Sequence, residues 1–138
     1  MTPRYLALTL VLWFGGSIAS AHLQASKQDL GAATRQEGDA ARGKFVFEHR
    51  CTGCHALDAN REGPQLRTVY GRKAGSVAGF EYSKSVAHLG LTWNAETLDQ
   101  WLTDPDAMVQ GNNMSFPTPK TADRRDVIAY LQEISTSK

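Results

Sequence analysis

Cys51 and Cys54 stand three positions apart in CTGCHALDANREGPQL, His55 follows at once, and the chain has no other cysteine. Four chemistries compete for such a group. A disulfide is the ordinary fate of thiols in an oxidising compartment, but a bridge closing so short a loop constrains little of the unfolded chain. A thioredoxin-type redox pair sits at a helix start after a strand in a βαβ unit, whereas this pair follows a helical pattern. Tetrahedral structural zinc wants four ligands, and no second Cys/His pair follows at finger spacing. Covalent haem attachment fits: Cys-x-x-Cys-His places two thiols on one helical turn, where they can add to two vinyl groups and hold the adjacent imidazole under the iron.

Adjacency to the anchors makes His55 the first axial ligand. His22, His49 and His88 have no such placement, and a second imidazole ligand from His88 is conceivable but has nothing in particular to recommend it. For the other face the candidates are Met108 and Met114. Methionine is more often a core filler, but Met114 sits in QGNNMSFP, a turn-rich loop far along the chain that can wrap over a second face. Histidine/methionine ligation raises the reduction potential and closes the iron to substrate, which describes an electron carrier.

The elements that must position these residues are helical. Asp39 can cap a helix through AARGKFVFEHR, where Gly43 and Phe47 share a face and the glycine implies a close-packed partner. A short helix is expected at SKSVAHL. Asn94 can cap AETLDQWLTD, whose Leu98, Trp101 and Leu102 form an apolar face before Pro105 stops it. TADRRDVIAYLQEIS carries a stripe of Val127, Ile128, Leu131 and Ile134 with Tyr130 at its edge. GPQLRTVYGRKAGSVAGF and MVQGNNMSFPTPK are long Gly/Pro-rich connections, and loops of that length usually wrap around something. A bulky apolar ligand is expected to complete the core.

At 138 residues the chain is about one domain. Its first 21 residues have Arg4, an apolar run from Tyr5 to Phe14, and a small-x-small site at Ala19-Ser20-Ala21, the pattern of a cleaved signal peptide. The apolar run falls short of the roughly 20 residues that cross a bilayer. Cleavage removes one of 15 basic residues and no acid, leaving 14 basic against 14 acidic. A neutral balance argues against a nucleic-acid partner. Residues 22 to 37 are polar and Ala-rich and are expected to be a flexible leader, with the domain proper at 38 to 138.

Taken together the chain resembles a class I c-type cytochrome, similar to mitochondrial cytochrome c and bacterial cytochrome c2-like proteins, over about residues 39 to 134. Beyond CTGCH the likeness rests on GPQL, GRKAGS, GFEYS, LTW, TLDQWLTDP, GNNMSF and RRDVIAYL, in family order and near family spacing. The resemblance implies an all-α small cytochrome c fold, about four helices with long loops wrapped around one haem c bound through Cys51 and Cys54. It implies that the Pro64 carbonyl accepts a hydrogen bond from His55. It also implies that Tyr82 and Trp93 meet a haem propionate, that Arg72 offsets the propionate charge, and that Met114 is the sixth ligand. Gly43 and Phe47 would pack on Tyr130.

The implied function is that of a soluble, periplasmic, monomeric one-electron carrier and not an enzyme. Its partners would be redox proteins such as a membrane oxidoreductase or terminal oxidase, with no stable membrane insertion after signal cleavage. A peroxidase-like enzyme or small-gas binder with an open sixth position is the alternative, but no second histidine or arginine motif resembles a distal acid/base pair. The chain departs from the family pattern around the methionine. Gln110, Asn112 and Asn113 predict a looser loop, Trp101 replaces a tyrosine whose hydroxyl would reach the sulfur, and Val86 replaces a buried asparagine. The mitochondrial type docks with a lysine ring, whereas this chain has a neutral balance and few lysines near its methionine loop, so electrostatic steering is expected to be weaker or patch-specific.

Overall fold

In a computed structural model, residues 37 to 137 are described. The expected signal peptide, and all but the last residue of the expected leader, lie outside the described residues. Helix α1 spans Ala40–Arg50 and starts where the Asp39 carboxylate accepts the backbone N–H of Arg42. The single turn α2, Lys84–Ala87, is capped by Ser83. Helix α3, Ala95–Thr103, opens with a capping box in which Asn94 and Thr97 each satisfy the other's backbone N–H. Helix α5, Thr121–Thr136, is the longest.

Between α3 and α5 lies one more turn of helix, α4, at Pro105–Met108. Pro105 therefore does more than end α3; it opens α4 as its first residue. Proline lacks only an N–H that the first turn leaves unpaired anyway, and the Asp104 side chain caps the turn through Ala107 N–H at 3.0 Å. The described residues hold five helices instead of about four, and an isolated Lys73–Thr92 bridge in place of any strand. The class is all-α. No helix among the described residues is long and apolar enough to cross a membrane.

The core forms where α1 meets α5. A Cβ built on Gly43 would lie 1.9 Å from the Asp126 carbonyl oxygen, so only glycine lets the two backbones approach this closely. Phe47 packs on Tyr130 with ring centroids 5.5 Å apart. Tyr130, placed by periodicity at the edge of its stripe, is buried at 7 % exposure because α1 covers it. Polar groups lock the same crossing: Asp126 accepts from the Asp39 backbone N–H at 2.8 Å and from Arg42 Nε at 2.8 Å. The Arg42 hydrogen bond holds the Asp126 carboxyl below the usual carboxylate range.

A buried cation orders the other side of α5. Arg124 donates to Asp99 on α3 at 2.8 Å and to the carbonyls of Thr118 and Pro119 at 3.0 and 2.9 Å. It ties α3, α5 and the end of the methionine loop together. The long connection after Arg72 is laced to the segment before α3 by Trp93 N–H to the Arg72 carbonyl and Gly71 N–H to the Trp93 carbonyl, at 2.9 and 2.7 Å.

Candidate functional site

The helices and long loops enclose a cavity of about 580 Å³. Its wall includes Cys51, Cys54, His55, Pro64, Arg72, Tyr82, Trp93 and Met114, so the structure brings all eight predicted site residues together. Met108 and His88 are not on that wall.

The cysteine side is built by the end of α1. Cys51 caps the helix, its N–H donating to the Phe47 carbonyl at 2.9 Å, and the turn continues as His55 N–H donates to the Cys51 carbonyl at 2.9 Å. This one local turn carries both thiols and the imidazole. Neither cysteine is in a disulfide. Burial pushes the Cys51 thiol up to about 11, with the Arg50 charge opposing.

The His55 ring is oriented from behind. Its Nδ1 lies 2.8 Å from the Pro64 carbonyl oxygen, which can only accept, so Nδ1 carries the proton and the Nε2 lone pair is left to act as a ligand. Burial lowers the pKa of the ring; the Pro64 carbonyl opposes this and the Arg72 charge adds to it. Gly63 was not singled out by the sequence, yet a Cβ there would lie 2.2 Å from His55 Cε1. A glycine just before the histidine's carbonyl partner is the signal that could have found it: close backbone approach.

The methionine loop carries two sets of hydrogen bonds that its departures from the family pattern did not suggest. The loss of a tyrosine hydroxyl does not strip the sulfur of its hydrogen bond, because Trp101 Nε1–H donates to Met114 Sδ at 3.2 Å. Trp101 is itself braced edge-on by Trp93, with centroids 5.5 Å apart. Asn112 is hydrogen-bonded at both ends of its amide. Its amide donates to the carbonyls of Pro105 and Val109 and to Asp106 Oδ1, at 3.1, 2.9 and 2.8 Å, while its Oδ1 accepts the Met114 N–H at 2.6 Å. One side chain thereby pins the loop to α4. Gly111 turns the chain ahead of it at φ +75°, a conformation that favours glycine. Val86 is buried, as expected of that position.

Most of the wall is apolar, with Leu66, Val69, Val86, Leu98 and Leu102 among the aromatic residues. Two arginines, Arg50 and Arg72, also line it. Arg72 donates from Nη2 to the Gln65 carbonyl at 2.9 Å and from Nη1 to Thr68 Oγ1 at 3.3 Å, while its Nε is buried without a partner. Burial lowers its pKa, and Tyr82 opposes this. An orphaned cationic N–H is costly in such surroundings unless an anion arrives. A flat apolar macrocycle carrying carboxylates suits this wall, and two thiols and a positioned imidazole suit its attachment.

Comparison with known proteins agrees. The family model described as cytochrome c matches residues 40–135. The chain is 43 % identical over 100 residues to cytochrome c type-1 of Ascaris suum, covering 70 % of this chain and 89 % of that protein. It is 39 % identical over 102 residues to cytochrome c of Cochliobolus lunatus, covering 71 % and 94 %. Among solved structures it is similar to cytochrome cH from Methylobacterium extorquens, with a TM-score of 0.66, 41 % identity and coverage of 70 % of this chain and 99 % of that one. The chain belongs to the cytochrome c family: it is a class I c-type cytochrome, an electron-transfer protein and not an enzyme, with haem c bound covalently through Cys51 and Cys54.

Proposed function

We propose that this cytochrome is a soluble, monomeric periplasmic carrier whose iron is ligated by His55 and Met114, and that it passes single electrons between redox proteins such as a membrane oxidoreductase and a terminal oxidase. The observation that carries the ligand assignment is the preorganised pair. The His55 imidazole is held by Pro64 and the Met114 thioether by Trp101, and both residues line the same cavity. When bound, haem supplies a one-electron couple; the chain supplies ligand choice, burial and hydrogen bonding. Two positioned ligands limit rearrangement between oxidation states, which favours fast transfer. In this reading Arg72, Tyr82 and Trp93 take the propionates.

His49 and Arg50 also reach the cavity, the residue types that a peroxidase would use as an acid/base pair. Both are engaged elsewhere, His49 with the Phe45 carbonyl at 2.8 Å and Arg50 with the Pro117 carbonyl at 3.2 Å. The optical spectrum of the oxidised protein is the test. A low-spin ferric form with the charge-transfer band of methionine-sulfur ligation is expected. A high-spin form at neutral pH, or immediate cyanide binding, would favour an open sixth position and end the carrier assignment.

The signal-like pattern of residues 1 to 21 supports export. The intact mass of the holoprotein expressed with its full leader is expected to show a chain beginning at His22; an uncut chain would argue for an anchor instead.

A further inference from the structure

The peptide that orients His55 is itself held at its other end. The Pro64 carbonyl, whose oxygen lies 2.8 Å from His55 Nδ1, and the Gln65 N–H belong to one planar peptide unit. That N–H donates to Asn60 Oδ1 at 3.1 Å, and Asn60 Nδ2 donates in turn to the Ala78 carbonyl at 3.2 Å. The Gln65 N–H can only donate and the Ala78 carbonyl can only accept, so these partners fix which way round the Asn60 amide lies. Three hydrogen bonds through two amide groups therefore run in one line from the imidazole to the connection that follows Arg72.

Every donor in the line points the same way. Amide groups so aligned polarise one another, each bond strengthening the next. A Gln65 N–H engaged by Asn60 leaves the Pro64 oxygen more negative, and that oxygen draws harder on the Nδ1 proton. The imidazole then becomes a more basic ligand at Nε2. Mechanical support of the loop comes from elsewhere: Gly63 N–H donates to the Cys54 carbonyl, Leu66 N–H to the Ala56 carbonyl and Arg67 N–H to the Leu57 carbonyl, at 2.8, 3.1 and 3.0 Å. Those bonds stay in place when the Asn60 side chain is changed.

Resting on the His55 ligation of the carrier reading, we infer that Asn60 is a positioning residue that raises the donor strength of the axial histidine through the Pro64–Gln65 peptide and so lowers the reduction potential. Ferric iron is the more electron-poor state and gains more than ferrous iron from a stronger donor. Asn60 does this at a distance, since it is not on the cavity wall.

Spectroelectrochemical titration of the holoprotein, together with proton NMR of its diamagnetic ferrous form, tests this. Asn60→Ala removes the acceptor; its potential is expected to rise, and its His55 Nδ1–H resonance to move upfield as that hydrogen bond weakens. Asn60→Asp keeps an oxygen for the Gln65 N–H and makes it anionic, so its potential is expected to fall and the same resonance to move downfield. A loss of loop support alone would shift both variants in one direction. Ala59→Asp, at an exposed position, places a carboxylate beside the line and is expected to leave the resonance where it is, which separates charge acting through space from the relay. Shifts of one sign in both Asn60 variants, or an unmoved resonance in both, would overturn the inference and leave Asn60 as a fastener between two loops. Were Asn60→Ala to lose its haem, the resonance of Asn60→Asp measured against that of Ala59→Asp decides by itself. A wild type whose His55 ring protons lack the ring-current shift of a haem ligand would overturn the ligation, and this inference with it.

Discussion

Replacing Cys51 and Cys54 together by alanine is expected to yield a chain that retains no haem on a denaturing gel and has no stable fold. Each covalent link forms by adding a thiol S–H across a vinyl double bond, the sulfur bonding to carbon and the hydrogen ending on the neighbouring carbon. Without sulfur there is no link. The second loss follows from volume. A cavity of about 580 Å³ with mostly apolar walls leaves Leu66, Val69, Val86, Leu98 and Leu102 without the packing partner that would cover them. The whole stability of a domain is only about 5–15 kcal/mol, so losing that packing is enough to unfold it. Peroxidase staining after denaturing electrophoresis and far-ultraviolet circular dichroism read the two losses separately. Retained stain would show that the cysteines are not the anchors; an unchanged helical spectrum in haem-free protein would show that the helices stand without the group they surround.

Met114→Ala is expected to lower the reduction potential by on the order of 0.2 V, within the roughly 0.8 V that axial ligands command across haem proteins. The ferric form would then accept cyanide readily. Met108 is packed against the core and is not on the cavity wall, so Met108→Ala is expected to cost stability with little change in potential. Trp101→Phe separates the ligand from its support. It keeps an apolar ring but removes the N–H that reaches the sulfur. A hydrogen bond donated to a thioether draws electron density from it and favours the reduced iron, so its loss is expected to lower the potential by a smaller amount than loss of Met114. Spectroelectrochemical titration ranks the three variants. A larger drop for Met108→Ala than for Met114→Ala would reassign the sixth ligand, and an unshifted Trp101→Phe would reduce that residue to packing.

These outcomes turn on a site of which one half was plain in the sequence and the other was not. Pro105 shows the difficulty on a small scale. A proline after a helical pattern signals an end, and α3 does end there, but the same fixed φ and missing N–H also suit a first turn, and α4 begins on it. Trp101 shows it at the iron's expected sulfur ligand. A missing tyrosine hydroxyl is visible in the residue list, whereas the indole N–H that takes its place is visible only once α3 and the methionine loop are set against each other. Asn112 looked like a weaker residue for a tight loop. Four hydrogen bonds to partners within seven positions make it the loop's main fastening.

The amino-acid order alone determined whatever is settled within one or two helical turns. The caps at Asp39, Ser83 and Asn94, the amphipathic stripe of α5 and the thiol-thiol-imidazole turn at Cys51, Cys54 and His55 all involve groups three or four positions apart, where backbone geometry leaves little choice. Even the crossing of α1 on α5 was announced by the cost of placing a glycine at position 43 in a helix. Only the tertiary structure decided which groups from distant segments face one another: Gly63 behind His55, Trp101 on Met114, Asn60 on Ala78. Side-chain reach is a few ångströms and packing sets which atoms fall inside it. The same donor meets a sulfur, a carbonyl or water according to how the helices cross.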